Sequence, residues 1–135
     1  MAEFVIQGGH RLHGEITPQG AKNEALQVLS AVLLTDEPVT ISNIPNILDT
    51  QRYREILALM GVKITEVDEH TFTFQAEDVD FEQLRTDEFS RLSTKIRASI
   101  MVLGPLLGRY GKALLCNNGW SVRRYGYDRD RDRQL

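Results

Sequence analysis

A chain of 135 residues with 41% apolar and 26% charged residues reads as one ordinary soluble domain, long enough to bury a real core. Its formal net charge of −3 excludes a whole-chain electrostatic case for nucleic acid. The single cysteine excludes an internal disulfide and fits a reducing cytoplasm, and His10, His13 and His70 have no metal-ligand spacing with Cys116, so no metal or cofactor is expected.

Met1-Ala2-Glu3 lacks the basic start of a secretory signal, and no apolar run approaches a membrane span, so a cytoplasmic protein without membrane contact is expected. Phe4-Val5-Ile6-Gln7 reads as a short strand with Gly8-Gly9 as its turn. Leu12, Gly14 and Ile16 then alternate with His13, Glu15 and Thr17, the period of a half-buried strand that Pro18-Gln19-Gly20 ends. From Lys22 to Leu34 the apolar residues cover most of a helical surface, leaving Asn23, Gln27 and Ser30 as a narrow polar strip. Such a helix is expected to be buried on nearly all sides.

Gly20-Ala21-Lys22-Asn23 opens that helix. A first helical turn has unpaired N–H groups and a positive dipole end, and a lysine there adds a mobile charge with three donors. Lys22 and Asn23 therefore read either as a grip for phosphate or carboxylate, or as an ordinary helix start whose lysine faces water. Spacing alone favours the second.

Thr35-Asp36-Glu37-Pro38 breaks the helix, Val39 to Ser42 is a strand, and Asn43 to Asn46 is a loop. Asp49 or Thr50 is expected to cap a second helix with Tyr53, Ile56, Leu57 and Met60 on one face and Gly61 as its stop. Val62 to Thr65 and Thr71 to Phe74 flank Asp68-Glu69-His70 as a hairpin. With the strand before Lys22, the unit is β-α-β-α-β-β.

Residues 77–88 read as an acidic connector. Ser93 or Thr94 is expected to cap a third helix from Lys95 to about Arg109, striped by Ile96, Ile100, Leu103 and Leu107 and bent at Gly104-Pro105; Lys112 to Leu115 follows as a strand. A shift of 73 residues places Lys22 on Lys95, Ala25 on Ala98, Leu33 on Leu106, Leu34 on Leu107 and Ile41 on Leu114. This is an internal repeat, and it predicts that Lys95 and Arg97 start a helix equivalent to the one at Lys22. Residues 116–122 look turn-like, and the Arg- and Asp-rich stretch from Arg123 onward has no apolar period. It reads as a disordered tail, with RNA contact through its arginines as the alternative.

Gly20-Ala21-Lys22-Asn23 and the run from Lys95 to Leu106, with Phe4 to Gly8, Glu37-Pro38-Val39 and Asn43-Ile44-Pro45, resemble the enolpyruvyl transferase family. The resemblance is to the branch of the UDP-N-acetylglucosamine 1-carboxyvinyltransferases of peptidoglycan precursor synthesis, because the shikimate branch usually shows Gly-Ser-Lys-Ser at the first motif. The resemblance covers residues 1–115. It implies a partial inside-out α/β barrel built from βαβαββ repeats. Residues 1–19 would be a strand pair packing with a second domain, 20–76 the first unit, 77–115 a connector and the start of the second unit, and 116–135 an atypical tail. It implies transfer of the enolpyruvyl group from phosphoenolpyruvate to the 3′-hydroxyl of UDP-N-acetylglucosamine. Lys22 matches the family's phosphoenolpyruvate-contacting catalytic lysine, Asn23 its neighbour in that site, and Arg97 the arginine assigned to the nucleotide sugar.

One family feature has no match. Where relatives carry Pro-Gly-Gly-Cys as the general-acid loop, Asn118-Gly119-Trp120-Ser121 stands here. Neither indole nor a free serine hydroxyl serves as such an acid, and Cys116 lies several residues early, so no general acid is identified. The expectation is an N-terminal portion of such an enzyme, inactive by itself. A non-catalytic binding or scaffold module is the reading from another class.

Overall fold

The computed structural model describes residues 3–117 and 120–126. Apolar periodicity forms the elements largely where it was expected. Helix α1 spans Lys22–Ala31, and a tighter 3-10 turn, Val32–Leu34, carries it to the break at Thr35. Strand β1 is Val39–Ile41, helix α2 is Leu48–Leu59, and strands β2 (Lys63–Asp68) and β3 (Thr71–Gln75) form the hairpin. Gly61 stops α2 at a φ of 94°, a left-handed conformation that favours glycine. The sheet order is β1-β3-β2 with antiparallel pairing throughout, Val39 opposite Phe74 and Ile64 opposite the same residue from the other side. Along β3, Phe72 and Phe74 are buried while Thr71, Thr73 and Gln75 are half-buried, the two-residue alternation of a sheet with one face on the core. The Arg54 guanidinium of α2 lies over the Phe72 ring, its central carbon 3.8 Å from the centroid.

The core gathers Leu29 and Leu33 with Tyr53, Ile56, Leu57 and Met60 of α2, and Phe74 of β3. Each fully buried aliphatic side chain contributes roughly 1.5–3 kcal/mol, so this cluster is what holds α1 and α2 onto the sheet. Two cross-links secure it. Ser30 Oγ donates to the Leu26 carbonyl at 2.8 Å and accepts from Tyr53 Oη at 2.5 Å, joining α1 to α2. The Arg109 guanidinium donates to the carbonyls of Leu33, Thr35, Ala76 and Glu77 at 2.6–3.2 Å, joining the ends of α1 and β3 to the second unit. The burial of α1 is nevertheless less complete than its composition predicts, because Val28 and Leu34 remain 42% and 55% exposed.

Several expectations are corrected. Residues 3–20 form no strand, and Phe4, Val5, Ile6, Leu12 and Ile16 are almost fully exposed. Their alternation is strand-like, but a strand requires a hydrogen-bonded neighbour, and none lies beside them among the described residues. Asp49 and Thr50 do not precede α2; they are its second and third residues, after Ile47 at the N-cap. Thr50 caps from inside the helix, its Oγ1 accepting from the N-cap Ile47 N at 3.4 Å and donating toward Pro45 O at 2.6 Å and Ile47 O at 2.9 Å.

The acidic connector is partly helical, with a 3-10 turn at Gln83–Arg85 and helix α3 at Asp87–Ser93, capped by Thr86 Oγ1 accepting from Phe89 N. Ser93 and Thr94 therefore end a helix rather than start one. The single third helix is instead a 3-10 segment, Arg97–Val102, followed by helix α4, Leu103–Tyr110. Pro105 falls in the first turn of α4, just past the change from 3-10 to α-helix between Val102 and Leu103. Residues three apart share a face of a 3-10 segment, so Ser99 and Val102 are buried on one side of it and Leu106 continues that face in α4, leaving Ile100 55% and Leu107 37% exposed.

The repeat survives this difference in helix type. Ala25 and Ala98 are both buried, Leu33 and Leu106 are both at zero exposure, and Leu34 and Leu107 are both exposed. Beyond Gly111, strand β4 (Lys112–Asn117) pairs antiparallel with β5 (Trp120–Gly126), Leu114 opposite Arg124. Cys116 thus lies in β4, and part of the stretch expected to be disordered is a strand. Residues 127–135 lie outside the described residues.

Candidate functional site

The site begins at a glycine. A Cβ on Gly20 would sit 2.0 Å from the Asn43 carbonyl oxygen and 3.3 Å from Pro45 Cδ. The chain therefore enters α1 pressed against the loop that leads into α2. That loop is itself held: Ile44 N donates to His70 O at 2.9 Å, and His70 Nδ1 meets Ile44 O at 2.9 Å. Thr50, fully buried, then fixes the first turn of α2 onto Pro45. The consequence is that the N-termini of α1 and α2 lie side by side.

Ala21 is the N-cap of α1 and offers no side-chain acceptor, so the first-turn N–H groups of this helix have no side-chain cap. Lys22, at the first helical position, is half-exposed and forms an ion pair with Asp49 of α2 through its ammonium nitrogen and Oδ2. The opposite wall is the turn after α3. Ser99 Oγ donates to Ser93 O at 2.8 Å, pinning the short segment that carries Lys95, Ile96 and Arg97. Leu26, Ile96, Ala98 and Met101 supply apolar surface, and Lys22, Asn23, Asp49, Lys95 and Arg97 supply the polar rim of one cleft of ≈ 440 Å³. Three cations face one carboxylate, so the cleft favours an anion with an apolar portion.

The sequence-predicted residues Lys22, Asn23 and Arg97 thus line a common cleft, although they are 75 positions apart at the extremes. Arg97 starts a six-residue 3-10 segment rather than an α-helix, so it brings a guanidinium with little helix dipole behind it. Two further residues of the cleft rim were not singled out as site residues: Asp49, read as a cap, and Lys95, read as the start of a helix equivalent to the one at Lys22. No local signal ties Asp49 to Lys22, since the contact exists only once the two helix starts are packed together. Lys95 also borders a second cavity of ≈ 620 Å³ between α2 and α3, lined by Glu55, Ala58, Leu59, Glu88, Arg91 and Leu92. Among the described residues no cluster of His, Cys, Asp and Glu suits a metal ion, and no helix is long and apolar enough to cross a membrane. Trp120 and Ser121, expected at the position of a general acid, begin β5, with Trp120 paired to Asn117.

Comparison with known proteins gives concordant results. Residues 6–117 match the family model described as EPSP synthase (3-phosphoshikimate 1-carboxyvinyltransferase). The UDP-N-acetylglucosamine 1-carboxyvinyltransferase of Bacteroides thetaiotaomicron is 49% identical over 119 residues, which is 88% of this chain and 27% of that protein. Its counterpart from Porphyromonas gingivalis is 44% identical over the same shares of the two chains. The crystal structure of the enolpyruvyl transferase NikO from Streptomyces tendae superposes with a TM-score of 0.67 at 30% identity, covering 82% of this chain and 24% of that one. The chain therefore spans about a quarter of the length of the relatives it matches.

Proposed function

The chain belongs to the enolpyruvyl transferase family of EPSP synthase, and from that membership we propose that its cleft is the part of a UDP-N-acetylglucosamine 1-carboxyvinyltransferase site that holds the anionic groups of the substrates. The observation that carries this reading is the convergence of Lys22, Asn23 and Arg97 on one cleft. Lys22 and Asn23 bind phosphoenolpyruvate, and Arg97 binds UDP-N-acetylglucosamine. An ammonium suits the crowded charge of the donor, and a planar guanidinium suits phosphate or carboxylate through paired donors.

The reaction joins the sugar 3′-oxygen to C2 of phosphoenolpyruvate while a proton goes to C3. Phosphate then leaves from C2 as a proton is lost from C3, restoring the double bond. Lys22 steadies the phosphate through both stages, because the charge it neutralises departs with that group. The hydroxyl proton needs a base and C3 needs an acid; among the described residues that line the cleft, Asp49 is the carboxylate, and it is engaged by Lys22. The complete activity, in cytoplasmic peptidoglycan precursor synthesis, belongs to the full length of the relatives.

The test has two arms. The chain alone is expected to release no phosphate from phosphoenolpyruvate in the presence of UDP-N-acetylglucosamine. It is expected to bind phosphoenolpyruvate in the millimolar range, seen as shifts of the Ala21 to Glu24 amides that Lys22→Ala abolishes. Turnover above a no-protein control that Lys22→Ala removes would refute the first arm. Undisturbed amides at saturating phosphoenolpyruvate would refute the second.

A further inference from the structure

We propose that Asp49 is a built-in competitor for the anion of this cleft: it occupies Lys22 until a multiply charged ligand displaces it. The inference rests on the anion-binding reading of the same cleft and adds its regulation. Of the three cations on the rim, Lys22 carries the ion pair, to Asp49, while Lys95 and Arg97 make none among the described residues. The cation placed against the donor anion is therefore the one already engaged.

The two partners are not equally free to move. The Asp49 side chain is 32% exposed and that of Lys22 51%. Asp49 stands in the first turn of α2, where a negative charge is stabilised by the helix dipole with or without a lysine. Its backbone is fixed because the next residue, Thr50, is buried and bonded to Pro45 O and Ile47 O. Lys22 has a four-carbon stem and three equivalent donors, so it is the partner that swings. An incoming anion must draw the ammonium away from Asp49 and tolerate the carboxylate beside it. A singly charged ion gains too little from Lys22, Lys95 and Arg97 to do both, whereas a phosphate-bearing ligand engages all three. Asp49 thereby sets a threshold that selects for higher ligand charge.

Neutralising the carboxylate should tighten anion binding by the strength of the pair it breaks. For a partly exposed pair that corresponds to about twofold to fivefold in affinity. The experiment titrates the intact chain with inorganic sulfate, a dianion across the working pH range, and reads the Ala21 to Glu24 amides. Asp49→Asn, nearly isosteric, is expected to bind sulfate about threefold more tightly than the unaltered chain and to narrow the preference for sulfate over chloride. Lys22→Ala is expected to lose the response. Should Asp49→Asn unfold, Asp49→Ser, which keeps an acceptor in the first turn of α2, carries the same comparison. Equal or weaker sulfate binding by the Asp49 variant, with the unaltered chain still binding, overturns the competitor role and leaves the anion cleft standing. Absence of binding by every version overturns the cleft reading and this inference with it.

Discussion

Replacing Gly20 by alanine tests the geometry that brings the two helix starts together. The new methyl carbon would lie 2.0 Å from Asn43 O and 3.2 Å from Asn43 C. Carbon–oxygen contacts settle near about 3.3–3.6 Å, so one backbone must retreat by more than ~1 Å. The loop resists, because Ile44 is bonded to His70 and Pro45 O is bonded to Thr50. Gly20 does not occupy the left-handed region, so alanine suits its backbone and the cost is steric. Overpacking of this kind costs about 1–3 kcal/mol, offset by roughly 0.4–1 kcal/mol from the stiffer unfolded chain. A net loss of about 1–2 kcal/mol corresponds to a melting temperature lower by roughly 4–10 °C for a chain of this size. Gly14→Ala is the control, since nothing lies within 4 Å of its added carbon. Thermal unfolding followed by circular dichroism, with Gly20→Ala melting within a degree of Gly14→Ala, would refute the packing argument. The same variant should also lose sulfate affinity, because Lys22 is carried two residues behind the displaced backbone.

Ser30→Ala should destabilise by about 1–3 kcal/mol and Tyr53→Phe by only about 0.5–1.5, because the first strands a buried hydroxyl while the second leaves Ser30 bonded to Leu26 O; urea denaturation separates them, and the reverse order would contradict the donor assignment. Burial pushes the Tyr53 phenol up from 10.0 to about 12. The unfolded phenol then ionises first, so this contribution is intact below pH 10 and falls by up to about 1.4 kcal/mol per pH unit until about pH 12; the difference between the unaltered chain and Tyr53→Phe should show that slope. Arg109→Met should cost about 2–4 kcal/mol, since four carbonyls lose a charged donor, and Arg109→Lys should fall between, as an ammonium cannot span both segments; identical urea midpoints for Lys and Met would show that charge and geometry at this position are irrelevant.

Much of the fold is written locally. The helix at Lys22, the strand at Val39, the helix stopped by Gly61 and the hairpin about His70 all follow from periods of 3.6 and 2 and from turn residues that act within a few positions. The repeat is equally legible, because equivalent positions meet equivalent burial: Leu33 with Leu106, and Leu34 with Leu107. The motif residues Lys22, Asn23 and Arg97 were likewise visible, since their types and family pattern mark them before any packing is known.

What tertiary structure alone decides depends on contacts between distant segments. Phe4 to Gln7 has the composition of a strand and forms none, because pairing requires a neighbour that composition does not specify. Of the apolar stripe expected from Ile96 to Leu107, Ile96 is buried but Ile100 and Leu107 are exposed while Val102 and Leu106 are buried, because a 3-10 segment advances the side chains by a different angle per residue than an α-helix. Asp49 meets Lys22 only because Gly20 has no side chain and Thr50 clamps the next helix to the same loop. A period marks which face of an element is apolar; which charge stands opposite another, as Asp49 stands opposite Lys22, is a property of the packed chain.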